Sequence, residues 1–234
     1  MPNPLGKFFK KEHLRNHLLG SIEIGYTQYG PTIGLSGTLT TVEKVVFINN
    51  ITILVKRLSD GATSQFNWFA FRPHRFSANR DLGVELKMPS KFLVSPATPY
   101  AYNILFSDQN QYSAMNPTIK MIKNRWEETL EKFCQSPGNF DIFKVFENFL
   151  KEERMANYYS QLVDFCYWEE GAHAISILFI SKENQPLLEM QKSFTLSVKD
   201  VQDLRRNAGM IIADICKQMD ITYSLVQAPL KDYP

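Results

Sequence analysis

From Ser21 onward the chain alternates apolar and polar residues with a period of two. Ile22, Ile24 and Tyr26 alternate with Glu23, Gly25 and Thr27. Ile33, Leu35 and Leu39 alternate with Thr32, Ser36, Thr38 and Thr40, and Ile51, Ile53 and Val55 share a parity against Thr52 and Lys56. Successive side chains of a strand point to opposite faces, so this pattern predicts strands with one buried face. Asp60-Gly61 separates a run ending near Leu58 from one starting at Ser64, a hairpin turn signal. The run Gln65–Phe71 is apolar on both faces after Trp68, which suits a central strand. Val84, Leu86 and Met88 alternate with Glu85 and Lys87. Pro89, Pro96 and Pro99 punctuate the next stretch, and Tyr102, Ile104 and Phe106 form a closing strand. About seven short strands in about ninety residues is the pattern of a β-sandwich.

The period then changes. Asn116-Pro117 reads as a helix start, and Ile119, Ile122, Trp126, Leu130 and Phe133 recur at three- and four-residue steps. Pro137-Gly138 breaks that helix and Asn139 caps the next. Its broad stripe (Ile142, Phe143, Val145, Phe146, Phe149, Leu150) must face more than one neighbour. The stripe continues weakly through Met155, Tyr158, Leu162 and Phe165. After Gly171, Ile175, Ile177 and Phe179 read as strand, Lys182–Pro186 as a turn, and Phe194, Leu196 and Val198 as the partner strand. A last helix carries Val201, Leu204, Ala208, Ile211, Ile212, Ile215 and Met219, with Ser197 and Asp200 as a capping pair. Ile221, Tyr223 and Leu225 predict a final short strand.

The predicted class is therefore α+β: an N-terminal antiparallel β-sandwich over residues 21–108, then a helix-rich α+β lobe over 116–226. The lobe either stands apart or packs on the sandwich as one composite domain. In pattern only, the first half resembles immunoglobulin-like or arrestin-like sandwiches, an architectural analogy that implies no particular function. Residues 227–234 read as a tail. Residues 1–20 form a separate basic amphipathic segment, in which Leu5, Phe8, Leu14 and Leu18 have roughly helical spacing and Gly20 ends the helix.

Charge and cysteine content narrow the function classes. The chain of 234 residues has a net charge of +2, too small by itself to argue for nucleic acid. Residues 1–20 hold Lys7, Lys10, Lys11 and Arg15 against Glu12, a net +3, which leaves −1 for the remainder. Cys134, Cys166 and Cys216 are widely spaced and odd in number, so they imply buried free thiols rather than disulfides or a metal site. No signal-peptide pattern and no long apolar run is read, and a reducing cytoplasm is the expected location.

No catalytic constellation emerges. Gly30, Gly34 and Gly37 lack the strand–loop–helix context and the lysine of a phosphate loop, and read as turn and close-packing glycines. His13 and His17 share a helix face with only Glu12 nearby, which gives a solvated basic face rather than a metal site. Glu152-Glu153 and Glu169-Glu170 are adjacent only in sequence and read as solvated. No metal or cofactor is implied.

Two segments stand out as binding candidates. The first is Lys7, Phe8, Phe9, Lys10, Lys11 and Arg15, suited to an anionic membrane surface or a partner protein. The second is Arg72, His74, Arg75 and Arg80, a loop able to offer guanidiniums to phosphate or carboxylate. The leading expectation is a non-enzymatic cytoplasmic protein-interaction or scaffold protein with an unidentified protein partner, self-association remaining open. One alternative is peripheral binding to anionic membrane or nucleic acid through the basic segments. Another is a hydrolase or transferase built on Cys166, His173 and Glu170.

Overall fold

The computed structural model describes residues 14–72, 87–135, 141–217 and 221–233. In chain order its elements are β1 (Leu14–Leu18), β2 (Ser21–Thr27), β3 (Gly30–Thr41), β4 (Val46–Ile48), β5 (Asn50–Arg57), β6 (Thr63–Phe71), β7 (Phe92–Val94) and β8 (Tyr100–Ser107). Then come α1 (Gln109–Cys134), α2 (Ile142–Leu150), α3 (Glu153–Asp164), β9 (Gly171–Ile180), β10 (Pro186–Leu196), α4 (Val198–Ile215), β11 (Val226–Pro229) and β12 (Lys231–Asp232). The protein is mixed α+β, and the strand pairings among the described residues are antiparallel. None of the described helices is long and apolar enough to cross a membrane.

The period-two alternation over residues 22–71 and 100–107 is realised as strand, and its apolar parity faces the core; Val84 and Leu86 of the next expected strand lie outside the described residues, and Met88 belongs to no strand. Ile22, Ile24, Tyr26, Ile33, Leu35, Ile51, Ile53, Phe66, Tyr102, Ile104 and Phe106 are all buried. Ten strands lie in one sheet, on the path β11-β2-β3-β8-β6-β5-β9-β10-β12, with β1 beside β3. β5 pairs with β9, Ile53 opposite Ile177, so strands from both halves of the chain share this sheet. The C-terminal strands bring its two ends together. β11 pairs with β2, β12 pairs with β10, and Leu230 N donates to Gly20 O between them at 2.8 Å. The sheet is thereby nearly closed. β4 and β7 make a separate two-stranded ribbon.

Of the helices, α4 packs against β2 and α1 against β3, while α2 and α3 pack on other helices. In α4, Leu204, Ala208, Ile211 and Ile212 are buried, and its N-terminus carries the expected Ser197–Asp200 capping box. Buried Asn207 donates from Nδ2 to Tyr26 O (3.0 Å) and Ser224 O (2.8 Å) and accepts at Oδ1 from Ser224 N (2.8 Å). One side chain thus satisfies backbone groups of β2 and of the segment before β11. Between α3 and β9 the chain carries Trp168 inward, where its indole N–H donates to Gly25 O at 2.8 Å and its ring stacks on Phe66.

Several expectations are corrected. Leu14–Leu18 is a strand, not a helix: Leu14 and Leu18 lie four apart, a spacing that fits either period, and pairing with Gly37–Thr41 decides the matter. Gly20 (φ +37°) turns the chain from β1 to β2 instead of ending a helix. The first helix begins at Gln109, capped by Asp108, and Pro117 lies inside it. Asp141 rather than Asn139 caps α2, and Val198 opens α4 instead of ending β10. The C-terminal strands are Val226–Pro229 and Lys231–Asp232, not Ile221–Leu225, so most of the expected tail is sheet. Cys134 is exposed at the end of α1, while Cys166 and Cys216 are buried.

Candidate functional site

The outer face of the sheet carries a small polar cleft. The register sets Gln227 beside Glu23 and Glu23 beside Gly34, then Ser36 beside Asn103 in the next row. Arg72, just past β6, is anchored by its own N–H donating to Asn103 O at 2.9 Å. Its Nη1 reaches back over Gly34 and donates to Glu23 Oε1, while Gln227 Nε2 donates to Glu23 Oε2 at 3.3 Å. A Cβ at Gly34 would lie 3.0 Å from Glu23 Cβ and 3.2 Å from Arg72 Nη1, so the glycine is what admits the ion pair. The cleft is about 110 Å³ and is walled by Ser21, Glu23, Ser36, Arg72, Asn103 and Gln227. Such a site offers hydroxyls, amides and the rest of the guanidinium fork to a small polar group.

The helical layer carries a larger, apolar cleft of about 580 Å³ between α2, α3 and α4. Phe146 and Leu150 come from α2, Met155 and Tyr159 from α3, and Met210 and Ile212 from α4. Ala156, Gly209 and Ala213 leave the space between them. The wide stripe of α2 does face two neighbours. Phe146 and Phe149 lie 5.8 Å and 5.2 Å from the Trp126 ring of α1, while Phe146 and Leu150 also line the cleft. Gly209 has helical backbone, and a Cβ there would meet nothing closer than Tyr159 Cε2 at 3.8 Å. Alanine would fit and would favour the helix by about 1 kcal/mol, so glycine here widens the cleft at the expense of the helix. Leu150, Tyr159 and Met210 are exposed at its rim.

The sequence-predicted residues fall in different places. Lys7, Phe8, Phe9, Lys10, Lys11, His74, Arg75 and Arg80 lie outside the described residues. Arg15 is exposed on β1, opposite Thr40. Arg72 is in the polar cleft, its charge met by Glu23 of this chain instead of being offered freely to a ligand. His17 is exposed on a strand, and among the described residues no cluster of three metal-ligating side chains occurs.

The candidate catalytic groups occupy unlike surroundings. Burial pushes the Cys166 thiol up to about 11, which keeps it protonated and poorly nucleophilic at neutral pH. His173 is buried with its ring stacked on Phe194 (centroids 4.9 Å apart) and Nδ1 3.1 Å from Gly171 O. Burial lowers its pKa below the ordinary histidine value. Glu170 is exposed. Glu169 and Glu152, expected to be solvated, pair with Arg205 at 2.9 Å and Arg125 at 2.8 Å. Sequence reasoning missed both clefts, since each is assembled from elements far apart in the chain. The small residues Gly209 and Ala213 in an otherwise large-residue helical stripe were the one local sign of the apolar cleft.

Comparison with models of known protein families, with curated proteins and with solved structures finds no match to this chain.

Proposed function

We propose that the protein acts without catalysis of its own, as a cytoplasmic interaction protein whose helical layer seats an amphipathic helix of a partner protein. The observation that carries this reading is the apolar cleft between α2, α3 and α4, open to solvent and walled from three helices. Helix-in-groove recognition uses such a trough, filled by the partner's apolar side chains at three- and four-residue spacing. Met155 and Met210 suit it, because unbranched thioethers repack around different neighbours. We read the body beneath as a barrel-like closure of the sheet rather than a two-sheet sandwich, with the helices packed on it as one composite unit. The meeting of β11 and β12 with the two ends of the sheet path supports that architecture.

The test is partner capture by the full-length chain and by Met210→Glu and Ala213→Glu, with melting curves to confirm folding. A protein that binds the wild type and is lost from both variants is the expected result. A partner retained by the variants, or no specific partner, overturns the reading. The hydrolase alternative has less support, because a buried protonated thiol needs an activating base and His173 is engaged with Gly171 and Phe194.

A further inference from the structure

β3 separates two unlike ends of the sheet. At Gly30 a Cβ would lie 3.3 Å from Tyr112 N, so this end adjoins α1. The strand is 12 residues long and ends at Thr41, roughly 35 Å away in extended conformation. At that far end Leu14 pairs with Thr41 and Arg15 with Thr40. The chain then turns through Val42–Val45 into the β4–β7 ribbon, where Val46 pairs with Val94 and Phe47 with Leu93. One face of the ribbon is core: Val46, Ile48, Phe92 and Val94 are buried, and Phe92 stacks on Tyr100. On the other face, among the described residues, Phe47 is half-buried and Leu93 is exposed.

The ribbon and the segments leading into it combine two properties. Large apolar side chains stand in solvent: Val42 is 56% exposed, Val45 55%, Leu93 58% and Met88 82%. A scattered exposed leucine needs no explanation, but Val42 and Val45 lie in the turn entering β4, Leu93 lies on β7, and Met88 stands four residues before β7. Cations are interleaved with them. Arg15, Lys44, Lys87 and Lys91 are exposed, and among the described residues none of them makes an ion pair. Residues 42–45 and 87–99 contain a single carboxylate, Glu43.

We propose that this end of the molecule docks on an anionic lipid bilayer, with Val42, Val45, Met88 and Leu93 entering the headgroup region and Arg15, Lys44, Lys87 and Lys91 meeting lipid phosphates. Apolar tips flanked by lysines are the composition of an interfacial contact, in which each part alone binds weakly and the two together hold. Nucleic acid fits less well, because it rewards exposed aromatic platforms or a cationic groove rather than projecting valines and methionine. The proposal is independent of the helical cleft, which lies in another layer of the molecule.

The experiment is co-sedimentation of the full-length protein with vesicles of phosphatidylcholine alone and with about 30% phosphatidylserine, a cytoplasmic-leaflet-like charge. Binding is expected only to the anionic vesicles, and is expected to fall as salt is raised from about 0.1 M to about 0.5 M. Lys44→Gln with Lys91→Gln should weaken it about 25-fold, near fivefold for each lysine. Val42→Asp with Val45→Asp should abolish it. All four positions are exposed, and unchanged melting confirms that the variants fold. Absence of binding to the anionic vesicles, or binding untouched by both double variants, overturns the proposal. So does retention on a duplex DNA oligonucleotide that depends on the lysines but not the valines, without vesicle binding. Met210→Glu should sediment like the wild type, so failure of the cleft reading and failure of this one are told apart.

Discussion

His173 lies in a position whose parity the sequence displays and whose environment it conceals. It precedes Ile175, Ile177 and Phe179 on the inward face of β9, so the alternation that buries those residues buries the imidazole too. Among the described residues its Nε2 has no hydrogen-bond partner, while Nδ1 faces Gly171 O and the ring lies flat on Phe194. Desolvation lowers its pKa, outweighing a raising hydrogen bond to Gly171, and repulsion from Arg57 lowers it further. The unfolded chain binds a proton near pH 6.5 and the folded chain only at lower pH. The stabilising contribution is therefore complete above about pH 6.5 and is lost as pH falls from there through the folded-state value. The urea midpoint should drop below that pH, and His173→Leu should flatten the slope. An equally steep acid dependence in the variant would assign it to other groups. Gly34 and Gly37 are close-packing glycines, as their sequence context suggests. A Cβ at Gly37 would come within 2.8 Å of both His17 O and the Tyr102 hydroxyl.

At the scale of the element, local rules succeed where the deciding partner is near in sequence. Ser197 and Asp200 cap α4 as their spacing predicts, and Asp60-Gly61 turns a hairpin in which Arg57 N donates to Ala62 O at 2.8 Å. They fail for α1, where Asn116-Pro117 imitates a start that the chain has already made. Asp108 Oδ1 accepts from Asn110 N at 2.9 Å and Gln111 N at 3.1 Å, and its other oxygen accepts from Ser64 of β6. Asp108 thus ends β8, begins α1 and joins both to a strand residue 44 positions earlier. Asp108→Ala removes the cap and leaves a buried hydroxyl without its acceptor. The expected loss is about 2–3 kcal/mol by denaturant unfolding, well above the roughly 1 kcal/mol of an exposed cap such as Ser197→Ala. A loss no larger than that of Ser197→Ala would mean that the contact with Ser64 contributes nothing. Pro117 is tolerated inside α1 at the cost of one missing backbone donor, a local signal overruled by the helix around it.

For the molecule as a whole, closure rests on its last few residues. β11 covers the edge of β2 from Ser21 to Ile24, buries Ala228, and hands over to β12 beside Lys192 and Ser193 of β10. Lys192 is paired with Asp232 across that junction. A chain ending at Leu225 should expose two strand edges at once. It should melt lower, lose amide protection in β2 and β10, and self-associate through the freed edges. Unchanged exchange in those two strands would show that the sheet does not need the strap. The same long-range pairing explains what could be read from one dimension. The sequence by itself determined most of the long strands, their inward parity, most helices and the shift from period two to a helical period, because these follow from steric preference and from burying one face. Tertiary structure alone decided that Leu14–Leu18 is strand, that the tail is sheet, and that strands of the second half join the first. It also decided that Glu23, Arg72 and Gln227 meet, and that three helices leave a cleft. Each of those outcomes depends on a partner brought in from a distant part of the chain, and a contact of that kind leaves no period in the residues that make it.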